Sequence, residues 1–540
     1  MIHVKKIEEE LDFHWCMDKI RPRTPYGIEY KKAMKPYPVG TDQELGKTLD
    51  ILESYVDWLK NYETERKLDA LLKHIKDIRF SIKRAEEEQV LSEVELFEIK
   101  TFIFLLNKIW EFKEEEELPE HFNTKIRPIS ELMNLLNPKG AQPDTFYIYD
   151  SYSKALATLR VKRSGKENEY RRAIRQLKVK IRDEYGIILS GDNTVITQKR
   201  DEAYRKKLED CPYLIYSSET YNNLVFSLKL GEELMELQEM AEKLKEEEEE
   251  EEIKVRGLLS EKIAEYSKDL KSNIHGIANL DLYLAKARFA LEINGEKPEI
   301  RSRQKIYIRN GRHPKIEQDL KRKSMKYIPI TIELEQGVTC ITGANMGGKT
   351  ISLKLVGLLC LMAQMGLYVP ADYMEFALQE YIVTSIGDKQ STESGLSTFG
   401  GEIANVVEAM KFADKKGLIL IDELARGTNP MEGYAITLAI VEYLNKQEAI
   451  TVLTTHFDRV TSNREIKHLQ VIGLSKFDFS HHSINDVEDK LKILNKYMDY
   501  RLVEVSNFTE VPKDAINIAE IMGLPKDIVQ SAEETVKNGW

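Results

Sequence analysis

Cysteine is scarce: the 540 residues hold four, Cys16, Cys211, Cys340 and Cys360. Their scatter excludes a disulfide framework and zinc-ligand spacing, so all four read as reduced core thiols. Long hydrophobic runs are missing too. No stretch of about 18 apolar residues occurs, and Met1-Ile2-His3-Val4-Lys5-Lys6 leads into acidic helix instead of an apolar signal core. The expectation is a soluble, intracellular, cytoplasmic protein without membrane association. A basic surplus is the third absence: 79 Lys and Arg stand against 90 Asp and Glu, a net charge of −11. Proteins that neutralise many phosphates usually carry a basic surface, so any nucleic-acid contact must be local.

A chain this long exceeds one core and implies roughly two to four domains. Hydrophobic residues at 42% can build them, and 31% charged residues suggest much exposed helical surface. The first third has helical periodicity. Thr41 and Glu44 have capping-box spacing, followed by Leu45, Leu49, Leu52, Val56 and Leu59 at intervals of three and four. Leu68, Leu71, Ile75, Ile78 and Ile82 repeat the pattern, which predicts a helix bundle. Glu114 to Glu117 and Pro119 end this region, and Pro128, Pro138 and Pro143 mark a loop-rich crossing.

Asp144-Thr145-Phe146-Tyr147-Ile148-Tyr149 reads as a strand, with a helix from about Ser153. Ten Lys or Arg residues fall between Arg160 and Arg182, against Glu167 and Glu169. This stretch is either a solvated helix face or a surface for phosphates or an acidic partner. Short β-like pieces follow at Val195–Thr197, Tyr213–Tyr216 and Leu224–Leu228, suggesting a small sheet at the end of a helical pair. The return helix carries twelve Glu residues from Glu232 to Glu252, seven of them consecutive from Glu246. Such a face repels DNA, and pairing with the basic helix along one arm is the favoured reading.

From about Arg301, strands alternate with helices, as in a parallel α/β sheet. Gly337-Val338-Thr339-Cys340-Ile341-Thr342 reads as a buried strand, Ile351 to Met365 as a buried helix. Between them Gly343-Ala344-Asn345-Met346-Gly347-Gly348-Lys349-Thr350 has P-loop spacing. Its glycines let backbone N–H groups turn toward phosphates, and the following helix presents its amino end to the same anion. Lys349 then reaches the terminal phosphates and Thr350 ligates Mg²⁺. Farther on, the apolar strand Gly417-Leu418-Ile419-Leu420-Ile421 ends in Asp422-Glu423. That places Asp422 to hold Mg²⁺ through water and Glu423 to polarise an attacking water. A third strand, Ala449 to Thr455, ends in His456. Alone, that imidazole is an ordinary strand-end residue; in order behind the other two motifs it is expected to sense the γ-phosphate or hold the water.

Together Thr342 to Thr350, Ser397-Thr398-Phe399, Asp422-Glu423-Leu424-Ala425-Arg426-Gly427-Thr428 and Thr454-Thr455-His456 resemble the ATPase of the MutS family, a branch of the ABC-type ATPases. The resemblance covers roughly residues 1 to 535. It rests chiefly on the part after 280, including Leu280 to Arg288 and Gly311-Arg312-His313-Pro314. It implies ATP and Mg²⁺ as cofactors and a dimer, homomeric or with a paralogue, that sandwiches two nucleotides. By position it implies that Tyr327 stacks on adenine, although the polar pair that usually follows is here Ile330-Thr331. Ser397 would reach the γ-phosphate of the opposite protomer, and Asn345 and Gln390 would help position Mg²⁺ and water. The tail from Pro512 to Ala532 resembles the element that clasps the partner ATPase domain.

Departures from the family shape the functional expectation. Mismatch-repair members begin with a mismatch-reading domain bearing a Phe-x-Glu wedge; here the only early match, Phe112-Lys113-Glu114, lies in an acidic helical run. Leu361 to Ala371 resembles the second MutS subfamily, which acts on branched DNA or stalled ribosomes and usually carries a C-terminal Smr nuclease domain. The chain is expected to lack both modules. Ala425-Arg426-Gly427-Thr428-Asn429-Pro430 in an acidic, short chain is similar to the MutS-related ATPase encoded with lysine 5,6-aminomutase. That similarity implies an ATPase remodelling an adenosylcobalamin enzyme, against the alternative of a DNA- or ribosome-binding ATPase using Arg160 to Arg182. The expected fold is mixed: a helical core over 1–150, helical levers with a β-containing clamp over 151–300, an α/β ABC-type ATPase domain over 301–505 and a helical dimerisation element over 506–540.

Overall fold

The computed structural model describes residues 4–60, 62–115, 125–140, 147–343, 348–386, 398–425, 428–457, 460–461, 466–473, 498–505 and 514–537. These form two compact units that interleave along the chain. One comprises Met1–His74, Glu111–Ile126 and Ile274–Trp540; the other comprises Ile75–Trp110 and Arg127–Asn273.

The second unit is built on two long helices, Lys154–Tyr185 and Glu232–Glu265. The first spans 32 residues, about 48 Å at helical rise. It starts where the Ser153 side chain accepts the Leu156 N–H at 3.3 Å, and it stops at Gly186, whose φ of 59° suits glycine. Three antiparallel strands lie between the helices in sequence: β1 (Thr194–Gln198), β2 (Leu214–Glu219) and β3 (Asn223–Leu228), with β3 central. Alternation along β1 and β3 turns Val195, Leu224, Phe226 and Leu228 inward onto Ile174, Ile181 and Leu234 of the helices.

The basic and acidic helices do pair, but through few residues. Buried Glu248 accepts from Arg160 at 3.1 Å and faces Arg163 at 2.8 Å, Glu252 takes Arg160 at 2.7 Å, and Ser153 donates to Glu251 at 2.8 Å. Farther along, Lys166 and Arg171 turn to Glu169 and Glu167 of their own helix, while Lys162, Arg172 and Arg175 are exposed. The helical pair is thus cross-linked electrostatically at one end and packed through apolar side chains at the other.

Two sheets belong to the first unit. The smaller comprises β4 (Glu299–Ile300), β5 (Lys305–Gly311), β6 (Ile330–Glu335) and β8 (Tyr373–Phe376), in the order β4-β8-β5-β6. The larger comprises β7 (Gly337–Thr342), β9 (Ile382–Ser385), β10 (Leu418–Ile421), β11 (Ile450–Thr454), β12 (Lys467–Gly473) and β13 (Asp499–Glu504). Its order is β13-β12-β7-β11-β10-β9, all neighbours parallel except the β12–β13 pair. β7, β10 and β11 are buried at every residue, as expected where a parallel sheet is covered on both faces. The helix Gly348–Gln364 follows β7 and is buried along most of its length.

The amino-terminal helices are part of this same core. Gly357 has no room for a side chain, since a Cβ would come within 2.6 Å of Leu420 and 2.8 Å of Leu11. Asp12 receives Lys315 at 2.5 Å and Lys354 at 3.4 Å, and its Oδ2 lies 3.8 Å from Nε2 of fully buried His313.

Three local expectations change. Thr41 does not cap the helix Asp42–Leu59; its hydroxyl donates to the Pro38 carbonyl at 2.7 Å instead. The apolar pattern from Leu68 to Ile82 is two helices, Tyr62–Lys73 and Arg79–Glu86, because Asp77 accepts the Arg79 N–H at 3.1 Å and begins a new one. Tyr147–Tyr149 is not a strand: the Ile148 carbonyl is taken by Arg160 at 2.7 Å and a short 3₁₀ turn follows at Asp150–Tyr152. Asp144 to Phe146, Glu116, Glu117 and Pro119 lie outside the described residues.

Glu248→Ala removes the buried carboxylate shared by Arg160 and Arg163 and should cost about 2 kcal/mol in denaturant unfolding, with Glu252→Ala milder. The cost falls below that usual for breaking a buried pair because Arg160 keeps Glu252 and Asp150, and Arg163 keeps Glu167. Burial pushes the His313 imidazole from 6.5 down to about 4, only partly offset by Asp12. The unfolded chain therefore binds a proton that the folded chain refuses, so stability should fall as pH drops from 6.5 to about 4. The loss is on the order of 3 kcal/mol, and His313→Asn, which retains a capping acceptor, should flatten it in pH-resolved urea melts.

Candidate functional site

Parallel pairing in register brings three strand ends to one edge of the large sheet. Ile341 of β7 pairs with Thr454 of β11, and Leu453 of β11 pairs with Ile421 of β10. The residues that leave these strands, Gly343, Asp422 and Thr455, therefore emerge side by side at the carboxyl edge, where open α/β sheets place their ligands.

Two constellations form there. In one, the Thr350 hydroxyl donates to Asp422 Oδ2 at 2.8 Å, and the Thr454 hydroxyl donates to Asp422 Oδ1 at 2.7 Å. In the other, the Lys349 ammonium, only 3% exposed, donates to the Gly343 carbonyl at 3.0 Å and lies 3.5 Å from Glu423 Oε1 and 3.2 Å from His456 Nδ1. His456 Nε2 lies 2.9 Å from the same Glu423 oxygen. An ammonium has only donors, so Nδ1 accepts and Nε2 carries the proton that it donates to Glu423. The imidazole thus sits neutral between a buried cation and a carboxylate.

Backbone strain accompanies this arrangement. Glu423 has φ 50° and Ala425 φ 65°, left-handed values that non-glycine residues rarely adopt. The Glu423 N–H is held by Thr454 Oγ1 at 2.8 Å, which fixes the turn. Gly343, at φ 127°, is a position that only glycine fills easily, and Val471 stands 3.0 Å from where a Cβ would be.

The donor chemistry fits a magnesium nucleotide. Thr350 and Asp422 offer adjacent hard oxygens, and Mg²⁺ takes one or two such protein ligands and completes its shell with water and phosphate. Among the described residues no group of three or more His, Cys, Asp or Glu is placed to hold a metal by itself. The amino end of the helix Gly348–Gln364 supplies N–H donors for phosphate.

Beside it lies a cavity of about 690 Å³, lined by Tyr327, Ile328, Ile330, Gly348, Ile351 and Tyr500 among others. That is the size and apolar character of a small-molecule pocket. The Tyr327 hydroxyl accepts the His313 N–H at 3.1 Å, and burial raises its phenol to about 12, so the ring is fixed and neutral. Tyr500 of β13 packs on Gly348, where a Cβ would meet its ring at 2.8 Å.

Of the residues singled out from sequence, Gly343, Gly348, Lys349, Thr350, Asp422, Glu423 and His456 gather at this edge, and Tyr327 lines the adjoining cavity. Ala344, Asn345, Met346, Gly347, Gln390 and Ser397 lie outside the described residues. Sequence reasoning missed Tyr500, which no motif marks, and assigned Thr454 no part. A hydroxyl at the carboxyl end of a buried strand, next to the His456 motif, was the available signal for the latter. It also missed His468, whose ring bridges the Thr342 hydroxyl at 2.8 Å and the Thr461 hydroxyl at 3.0 Å at the end of β7.

Comparison with known proteins places the same region in a known context. Residues 339–538 match the protein family described as MutS domain V. Endonuclease MutS2 of Halalkalibacterium halodurans is 30% identical over 473 residues, covering 81% of this chain and 58% of that protein. Endonuclease MutS2 of Acetivibrio thermocellus is 31% identical over 407 residues, 72% of this chain and 49% of that protein. Endonuclease MutS2 of Caldanaerobacter subterraneus is 27% identical over 557 residues, 96% and 64% respectively. The chain thus spans between 49% and 64% of the length of these curated relatives. No described helix is long and apolar enough to cross a membrane. The chain thus carries an ABC-type ATPase domain that is similar to MutS domain V over residues 339–538 and distantly similar to endonuclease MutS2.

Proposed function

We propose that the chain binds and hydrolyses ATP with Mg²⁺ at sites completed by a second protomer, and that turnover drives the helical arm against a bound partner. The observation that carries this reading is the convergence of Thr350–Asp422 with Lys349–Glu423–His456 at one sheet edge. Bound nucleotide supplies a phosphoanhydride whose terminal group is transferred to water. Lys349 offsets its charge, and Thr350 and Asp422 hold the metal, helped by Asn345 and Gln390. Glu423 accepts the proton of the attacking water, and His456 orients that carboxylate through Nε2–H. Tyr327 and Tyr500 wall the base. The partner's Ser397 completes the phosphate cage, which makes a homodimer or paralogue heterodimer the active form.

The net charge of −11 and the likeness to the ATPase encoded with lysine 5,6-aminomutase support a protein partner, an adenosylcobalamin enzyme that is opened for reactivation. A second reading, a DNA- or ribosome-acting ATPase, is supported by the relatives' designation as endonucleases and by exposed Lys162, Arg172 and Arg175.

Glu423→Gln should lower turnover by about 10²- to 10³-fold while ATP is retained in a dimer seen by light scattering; unchanged turnover would mean that the base is misassigned. To separate the partners, branched-DNA binding is followed by anisotropy against salt. On the nucleic-acid reading, replacing Lys162, Arg172 and Arg175 by Ala reduces the logarithmic salt slope by about 2 to 3. Absent DNA and ribosome binding, with ATPase stimulated by purified aminomutase, selects the protein reading.

A further inference from the structure

We propose that Thr454 is a positioning residue that aims both acidic groups of the ATPase site, making metal affinity and water activation depend on one buried hydroxyl; this rests on the ATPase reading above. Thr454 ends β11 and is fully buried. A threonine hydroxyl has one proton and two lone pairs. The proton is committed to Asp422 Oδ1 at 2.7 Å, and a lone pair takes the Glu423 N–H at 2.8 Å. The reverse assignment is impossible, because a carboxylate offers no proton and a backbone amide no acceptor.

Two consequences follow for this chain. With Oδ1 engaged by Thr454, the Asp422 carboxylate is oriented so that Oδ2 meets the Thr350 hydroxyl on the metal side. The second bond, from the Glu423 N–H to the same hydroxyl oxygen, pins Glu423 in its left-handed conformation, with its carboxylate 2.9 Å from His456 Nε2. The Thr454 hydroxyl is committed to Asp422 and Glu423, and it acts through them. Because β11 also leads into His456, one strand end sets the direction of all three groups.

The test compares wild type, Thr454→Val and Thr454→Ser. Valine keeps the shape and removes the hydroxyl; serine restores it. Three measurements are made: ATP turnover against Mg²⁺ concentration, Mn²⁺ binding in the presence of ADP by electron paramagnetic resonance, and fluorescent ADP binding in EDTA. Loss of a hydrogen bond to a charged group predicts that Thr454→Val needs about ten-fold more Mg²⁺ for half-maximal rate, binds Mn²⁺ about ten-fold more weakly and turns over about ten-fold more slowly. Thr454→Ser should recover most of each loss. Binding of fluorescent ADP in EDTA should stay within about two-fold of wild type, since the base and the loop amides do not depend on Thr454. Wild-type metal dependence in Thr454→Val overturns the proposal. So does an equal loss of binding with and without metal, which would make Thr454 a packing residue. A wild-type chain that does not hydrolyse ATP overturns the ATPase reading instead.

Discussion

The site depends on the register of three parallel strands. β7, β11 and β10 are buried throughout and mostly apolar, with threonines at Thr339, Thr342, Thr451 and Thr454. What they contribute is a shared edge. A shift by one residue in the β11 pairing would reverse which side chains face up and remove Thr454 from Asp422. Leu418–Ile421 and Ile450–Thr454 are buried on both faces, so alternation alone does not oppose that shift; close packing and the buried hydrogen bonds from Thr454 to Asp422 and Glu423 do. Chemistry at the edge is therefore inherited from packing beneath it.

Charge is handled differently in the two units. At the ATPase edge one buried ammonium, one carboxylate and a neutral imidazole form a closed set, so little net charge is buried while the groups remain able to exchange partners. In the helical arm, Glu248 is buried against two guanidinium groups and the remaining charges stay at the surface. The long acidic run is thus mostly a solvated face, with its structural part confined to Glu248, Glu251 and Glu252. Opposite charges in the two helices orient their pairing without having to be matched one to one.

Much of the candidate site was legible because the chemistry of a phosphate site demands particular residues at particular chain intervals. A glycine-rich turn after an apolar strand, and an acidic pair after another, leave few alternatives for Lys349, Thr350, Asp422 and Glu423. Periodicity also located the buried face of the helix Asp42–Leu59 and all three strands of the arm. Local signals failed where a distant group competed for the same atoms. Thr41 had the spacing of a cap but gave its hydroxyl to Pro38, and the Ile148 carbonyl went to Arg160 instead of a neighbouring strand. Tyr500 was invisible for another reason: its relation to Gly348 is a contact across more than a hundred residues and has no local pattern.

The interleaving of the two units bears on how the protein is made. Leu11 is enclosed by Gly357, and Asp12 by Lys315 and Lys354, yet the chain builds an entire second unit before those residues are synthesised. At 5 to 20 residues per second, roughly three hundred residues take about 15 to 60 s to emerge. For that interval Leu11 and Asp12 lack the partners that bury them in the finished fold. The arm, whose long central segment is contiguous, can meanwhile begin to fold, so biosynthesis is expected to finish the ATPase edge last.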